Sequence, residues 1–106
     1  MLGKWEVVLM LLLTLSPQRR DDMLLVAIAG DVLAINGQPF DFTPLTEGAT
    51  LPRAAIDSPW IAGDVQRIDG VLQVSLLLPI AADASNAARF PHPITVTQDG
   101  PVELPQ

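Results

Sequence analysis

Few side chains in this sequence could do chemistry, and they do not form a known motif. His92 is the sole histidine, and the prolines on both sides of it hold it in an extended loop. A zinc site needs further histidine or cysteine ligands, and the chain has no cysteine. We therefore expect neither a metal site nor a catalytic role at His92.

The carboxylates are typical of turns and not of an active site. Asp31, Asp69 and Asp99 lie beside glycines at predicted turns, where the side chain accepts hydrogen bonds from nearby backbone. The other aspartates are too scattered for a calcium-binding loop. No serine lies in a G-x-S-x-G elbow, and no glycine-rich phosphate loop is present. The sequence predicts no catalytic residue, no cofactor and no metal, and so a protein that is not an enzyme.

Composition indicates one folded, acidic domain. The chain has 106 residues, 49% of them hydrophobic, and a formal net charge of −6. That hydrophobic share excludes a disordered acidic tail. The basic doublet Arg19-Arg20 is followed at once by Asp21-Asp22, whereas phosphate binding needs clustered basic residues. We expect no binding to nucleic acid.

The front of the chain carries its longest apolar run, residues 7–15. Nine residues are too few to span a bilayer, which needs about 20. Glu6 interrupts the charge pattern of a signal peptide, and no cleavage site follows Leu15. Met10 offers a second start, so we interpret residues 1–9 as an extension and residues 10–106 as the domain. Alternation of Leu11, Leu13 and Leu15 predicts a first strand.

Residues 23–42 predict a three-strand meander with turns at Gly30-Asp31 and Asn36-Gly37. Two-residue turns pair Ile28 with Leu33 and Leu33 with Phe40. Both registers place the same large residues on one face: Val26, Ile28, Leu33, Ile35, Phe40 and Phe42. The opposite face carries Ala27, Ala29, Val32 and Ala34. These small residues either lie at the surface or let another layer approach closely.

The second half predicts a loop, a hairpin and a helical turn. Residues 43–59 form a long loop with one helical turn at 52–56, and a loop of this length is a candidate for function. Residues 60–68 and 71–78 form a hairpin around Asp69-Gly70, and residues 94–97 form a later strand. The alanine-rich residues 81–90 predict a helical turn with Asp83 or Ser85 as its N-cap.

Three residues are candidate partner contacts. Trp60 follows Pro59 at the end of the long loop and offers a large rigid surface. Packing of Trp60 in the core at the start of a strand is the favoured alternative. Phe90, before Pro91-His92-Pro93, is the third candidate.

Four segments of the sequence resemble small uncharacterised proteins of tailed bacteriophages and prophages, encoded in the tail or tail-fibre region. The segments are LLLTLSPQRRDD, AGDVLAINGQPFDFTPL, PWIAGDVQRIDG and FPHPITVTQDGPVELP. The resemblance runs from about Leu11 to Pro105 and carries over no functional residue. It implies a phage context and a virion or assembly role. The location would be the host cytoplasm during assembly, or the virion. The partner would be another phage tail or tail-fibre protein, or a second copy.

Together these observations predict a single all-β domain, mainly an antiparallel meander of six to eight strands, folded as a sandwich or barrel. The leading function is a non-enzymatic tail-associated structural or assembly protein. It would bind its partner through a sheet edge or through the loop that ends at Trp60. The alternative is a soluble regulatory or host-interacting protein whose acidic body binds a basic partner surface. An enzyme ranks third.

Overall fold

A computed structural model describes residues 11–105, and alternating apolar residues in this range form nine strands. They are β1 (Leu11–Arg19), β2 (Val26–Ala29), β3 (Val32–Ile35), β4 (Gln38–Asp41), β5 (Thr50–Leu51), β6 (Val65–Ile68), β7 (Val71–Ile80), β8 (Ile94–Val96) and β9 (Gly100–Val102). A 3₁₀ turn covers Arg53–Ala55, and one short helix, α1, covers Asn86–Arg89. The all-β class is confirmed. The count exceeds the expected six to eight, because the long loop contains the two-residue strand β5.

The strands form two sheets. The first sheet has the order β5-β6-β7-β1-β8, and the second has the order β4-β3-β2-β9. All the strand pairs are antiparallel except β1 and β7, which run parallel along the whole of β1. The expectation of a mainly antiparallel meander therefore holds for the second sheet, whereas the centre of the first sheet departs from it.

Both sheets contribute to one hydrophobic core, so the fold is a sandwich. Leu13 in β1, Leu33 in β3 and Leu76 in β7 are 0% exposed and belong to the same cluster. On β7 the buried residues are Leu72, Val74, Leu76 and Leu78, as the alternation predicted. Inward-facing side chains of two stacked sheets interdigitate in this way.

The predicted register of the meander is confirmed. Ile28 pairs with Leu33, and Leu33 pairs with Phe40. Asn36 and Gly37 have φ angles of 51° and 83°, as a type I′ turn requires. The Asn36 side chain also accepts a hydrogen bond from the Leu25 N–H at 2.7 Å, which fixes the entry into β2.

Of the two predicted caps, Ser85 begins the helical turn. Its hydroxyl accepts a hydrogen bond from the Ala88 N–H at 3.2 Å, which is the geometry of an N-cap. Within the part of the chain that the structure describes, no helix is long and apolar enough to cross a membrane. The proposed extension, residues 1–9, lies outside the described residues.

Candidate functional site

The Arg67 side chain links the start of the long loop, residues 43–59, to both sheets. It occupies an inward-facing position of β6, opposite Leu72. Its guanidinium donates to the carbonyls of Leu45 at 2.6 Å and Phe42 at 3.1 Å. It also lies 3.6 Å from the carboxylate of Asp31, in a turn of the second sheet. The only arginine side chain in β6 is therefore part of the scaffold.

Two further charged residues hold the middle of this loop. The Glu47 carboxylate accepts hydrogen bonds from the N–H groups of Asp69 at 2.6 Å and Gly70 at 2.7 Å. The Arg53 side chain donates to the Ile61 carbonyl at 3.0 Å. The loop is thus an ordered element whose charges stabilise its own path, and its role as a contact stays a prediction.

Trp60 packs in the core, as the favoured alternative proposed. Its side chain is only 8% exposed, and its backbone accepts a hydrogen bond from the Leu77 N–H at 2.9 Å. The Arg20 guanidinium lies over the ring, 4.5 Å from the centroid, in a cation–π arrangement. The neighbouring Pro59 is exposed. A partner could reach Pro59 directly, but it could reach the Trp60 ring only after Arg20 moved.

Phe90 is the most exposed large apolar side chain among the described residues, at 75%. It follows α1 and lines an open groove of about 620 Å³ together with His92 and Ile94. Its role as a contact stays a prediction, and its exposed ring is accessible to a partner protein.

The outer face of the second sheet is the larger candidate surface. It consists of Leu25, Ala27, Ala29, Val32, Ala34, Pro39 and Pro101, which alternate with the core residues. In its middle row, Ala27 lies between Ala34 and Pro101. A shallow groove of about 900 Å³ lies at the end of this face near Leu25, which is 63% exposed. Among the described residues, the middle of this sheet face carries only small apolar side chains, and they are exposed or half-buried.

Carboxylates mark both ends of this face. Glu103 lines the groove. At the opposite end, Asp31 lies in the β2–β3 turn, Asp41 pairs with Val32, and Asp99 accepts a hydrogen bond from the Gly30 N–H at 2.9 Å. We call Asp41 and Asp99 the acidic end, and we leave Asp31 out because its carboxylate is paired with Arg67 of the first sheet. Residues 23–45 and 97–105, which form this sheet and its turns, contain no lysine or arginine.

Asp41 is held in its charged form. The Thr43 hydroxyl donates to its carboxylate at 2.6 Å, and the Thr43 N–H donates at 2.9 Å. Because both bonds favour the charged form, with the hydroxyl contributing most, they hold the pKa of Asp41 below its ordinary value. The acidic end keeps this charge at neutral pH.

Pro39 blocks the free edge of β4. Hydrogen-bonded and non-bonded residue pairs alternate along an antiparallel ladder. The bond from the Phe42 N–H to the Asp31 carbonyl, at 2.9 Å, sets this alternation for β3 and β4. Pro39 then falls at a position whose backbone nitrogen faces away from β3. An added strand would find no N–H there.

Pro101 blocks the opposite edge of the second sheet. The bond from the Asn36 N–H to the Leu25 carbonyl, at 2.8 Å, directs the backbone of Leu25 and Ala27 toward β3. Pro101 pairs with Ala27, so its nitrogen faces away from β2. Both edges of this sheet therefore carry an outward-facing proline, a common protection against strand addition.

Pro17 on β1 is likewise a proline whose backbone nitrogen faces away from the paired strand. Among residues 11–105, β8 pairs with Leu11–Leu13, and no described strand pairs with the rest of β1 on that side. The bond from the Arg20 N–H to the Ile80 carbonyl, at 3.3 Å, directs even-numbered residues of β1 toward β7 and turns Pro17 outward. Contact through these three edges is unfavourable. Edge addition, one of the two predicted modes, therefore loses physical support at these three places, whereas contact through the loop that ends at Trp60 stays a prediction. The outer face of the second sheet is a further candidate surface.

Two parts of this site could have been found from the sequence. The alternation that places Ala27 outward also places Leu25 outward, and the Asn36-Gly37 turn pairs Pro39 with Ala34. The inward position of Arg67 follows from the Asp69-Gly70 turn in the same way. Within residues 11–105, no three metal-ligating side chains converge.

No family model, curated protein or solved structure matches this chain. The outer face of the second sheet is therefore argued from its geometry and charge alone.

Proposed function

We propose that this protein is a non-enzymatic protein that acts by contact with another protein. The observation that carries the proposal is the outer face of the second, four-stranded sheet, where Ala29, Pro39 and Pro101 are exposed and Ala27, Val32 and Ala34 are half-buried. A sheet face of this kind buries apolar area when a second layer covers it. An exposed apolar patch with a polar rim is typical of protein interaction sites.

The phage context comes from the resemblance to small tail-region proteins. It supports a structural or assembly role in the tail, with another tail or tail-fibre protein as the partner. The place of action would be the host cytoplasm during assembly, followed by the virion if the protein stays in the particle.

The test uses particles purified from a host that carries the gene. A variant with Ala34→Glu should lose association with tail proteins, because a charged side chain in the middle of the face would have to be buried unpaired. Thr14→Glu, on the exposed outer side of β1, adds the same charge elsewhere and should not change association. If the wild-type chain is absent from particles and from tail intermediates, the tail role is wrong.

A second candidate function is favoured by the charge of the second sheet. This sheet contains no basic residue, and its exposed carboxylates Asp41, Asp99 and Glu103 would attract a basic surface, as in a regulatory or host-interacting protein. In that case the chain would be missing from particles while Ala34→Glu would still weaken binding to a host protein.

A further inference from the structure

The dimensions of the outer face suit one helix. Four strands spaced about 4.8 Å apart place the axes of β4 and β9 about 14 Å from each other. A helix with its side chains is about 10 Å wide. The two alanines in the middle row, Ala27 and Ala34, let a helix approach the backbone closely, and Leu25 flanks them at the groove.

Two other occupants fit less well. A strand would add at an edge, and Pro39 and Pro101 block both edges of this sheet. A second copy, docked face to face, would place the acidic end and Glu103 of one molecule near the same carboxylates of the other, with no basic residue in either sheet to pair with them. Like charges held together at an interface oppose association.

We propose that the outer face of the second sheet binds an amphipathic helix of another protein, with apolar residues in the groove and lysines or arginines beside the acidic end and Glu103. The proposal rests on the proposed contact function and names the chemistry of the partner. Charge complementarity selects a basic helix, and the small central residues select a flat apolar stripe.

The experiment uses two synthetic helical peptides that share one leucine stripe, with lysines at the flanking positions in one and glutamates in the other. Binding to the full-length ¹⁵N-labelled chain is followed by NMR. The lysine peptide should bind and shift the amides of Leu25, Ala27 and Ala34, and its affinity should fall as salt is raised. The glutamate peptide should bind at least about tenfold more weakly.

Matched variants separate docking from simple charge attraction. Ala34→Glu makes the protein more acidic, so pure attraction would strengthen binding of the lysine peptide, whereas docking in the groove should weaken it at least about tenfold. Thr14→Glu should leave the affinity within about twofold. The double variant Asp41→Asn, Glu103→Gln should weaken it about threefold, because two exposed pairs are lost. Far-UV circular dichroism verifies that each variant is folded.

Several results would overturn this inference. They are binding of neither peptide at millimolar concentration, equal binding of both, shifts confined to the first sheet, or stronger binding by Ala34→Glu. A dimer in sedimentation that Ala34→Glu dissociates would make a second copy the occupant. If the wild-type chain binds the lysine peptide as expected but does not associate with tail proteins, the tail role is wrong and the helix-binding proposal is retained.

Discussion

The outward side of the first sheet carries hydroxyl and amide side chains, and that of the second carries alanines, a valine and prolines. The polar residues directed outward on the first sheet include Thr14, Ser16, Gln18, Gln66, Gln73, Ser75 and Thr95. Apart from Arg67, the core residues that these strands contribute are leucines, isoleucines and valines, as in the second sheet. The same alternation thus builds one common core and two different outer surfaces. The surface of the first sheet mixes polar side chains with apolar ones such as Leu12, Ile68 and Leu77, whereas the middle of the second is apolar throughout and suited to a covering layer.

Charge divides the molecule in the same way. Arginines of the described residues lie on strands of the first sheet or in the segments that follow them, at Arg19, Arg20, Arg53, Arg67 and Arg89. Only Arg67 reaches the second sheet, through Asp31. Arginines such as Arg67 thus stabilise the scaffold on one side, while the other side leaves Asp41, Asp99 and Glu103 exposed to solvent or a partner.

The largest expected change in the free energy of unfolding tests whether the inner faces of the two sheets contribute equally to the core. Leu13→Ala in the first sheet and Leu33→Ala in the second each remove a side chain that is 0% exposed. Each should lower the free energy of unfolding by about 3 kcal/mol. Urea titration measures both. A loss below about 1 kcal/mol at Leu33 alone would show that the second sheet packs loosely, and the comparison of one shared core would be wrong.

The equivalence of the inner faces was predictable from sequence. Turn chemistry at Gly30-Asp31 and Asn36-Gly37 fixed the register of β2, β3 and β4, because two-residue turns leave no choice of pairing. The alternation of leucines did the same for β7. Such signals are local, and each involves residues close together in the chain.

The parallel pairing of β1 with β7 was not predictable in this way. Leu13 and Val74 are paired although they lie far apart in the sequence, and no turn connects their strands directly. Asp99, predicted as a turn residue that bonds its own backbone, instead accepts from Gly30 in another turn. The outer face was visible as a row of small residues, but its openness depends on which layers pack elsewhere. Long-range pairing and solvent exposure come from the whole fold.

The next largest change in stability is expected at Arg67, the arginine that links the two sheets within residues 11–105. Arg67→Met keeps the aliphatic length but removes the donors to the Leu45 and Phe42 carbonyls. We expect a loss of about 2 kcal/mol in the free energy of unfolding, because partly buried carbonyls lose charged donors. Arg89→Met is the control, since Arg89 makes an exposed bond to the Ala82 carbonyl, and it should cost less than about 0.5 kcal/mol. Equal losses would remove the special role of Arg67.

Turn strain should be the same in both sheets. Gly37 and Gly70 have φ angles of 83° and 78°, and no atom lies within 4 Å of a Cβ added at either. Gly37→Val and Gly70→Val should each cost about 1 kcal/mol or more, since a β-branched residue must adopt positive φ. Gly37→Asn, which tolerates that region, should cost less. A neutral Gly37→Val in denaturant titration would contradict the I′ turn.

Edge protection predicts a change in association with little change in stability. Pro39→Thr supplies an outward N–H on β4, so sedimentation should detect self-association at high concentration, while the free energy of unfolding changes by less than about 0.5 kcal/mol. Pro59→Thr, in an exposed loop position, is the control and should stay at the wild-type association state. A monomeric Pro39→Thr would show that another feature protects this edge.

The smallest effect compares one carboxylate near each sheet. The pKa of Asp22, which follows β1, is lowered chiefly by its hydrogen bond from Arg20, and the pKa of Asp41 is lowered chiefly by the hydroxyl of Thr43. NMR titration of the carboxyl carbons measures both. High salt should raise the pKa of Asp22 more than that of Asp41, because salt screens a charged partner and leaves a neutral donor in place.

Thr43→Val sharpens this comparison by removing the hydroxyl alone. The pKa of Asp41 should rise toward its ordinary value near 4, while Asp22 stays unchanged. A carboxyl whose native pKa is depressed stabilises the fold above its unfolded pKa, and this stabilisation is lost as the pH falls through the native pKa. Wild type should therefore lose more stability than Thr43→Val between about pH 5 and pH 2. If both proteins lose stability equally over that range, the Thr43 hydroxyl does not hold Asp41 in its charged form. The charge at the acidic end would then depend on exposure to water alone.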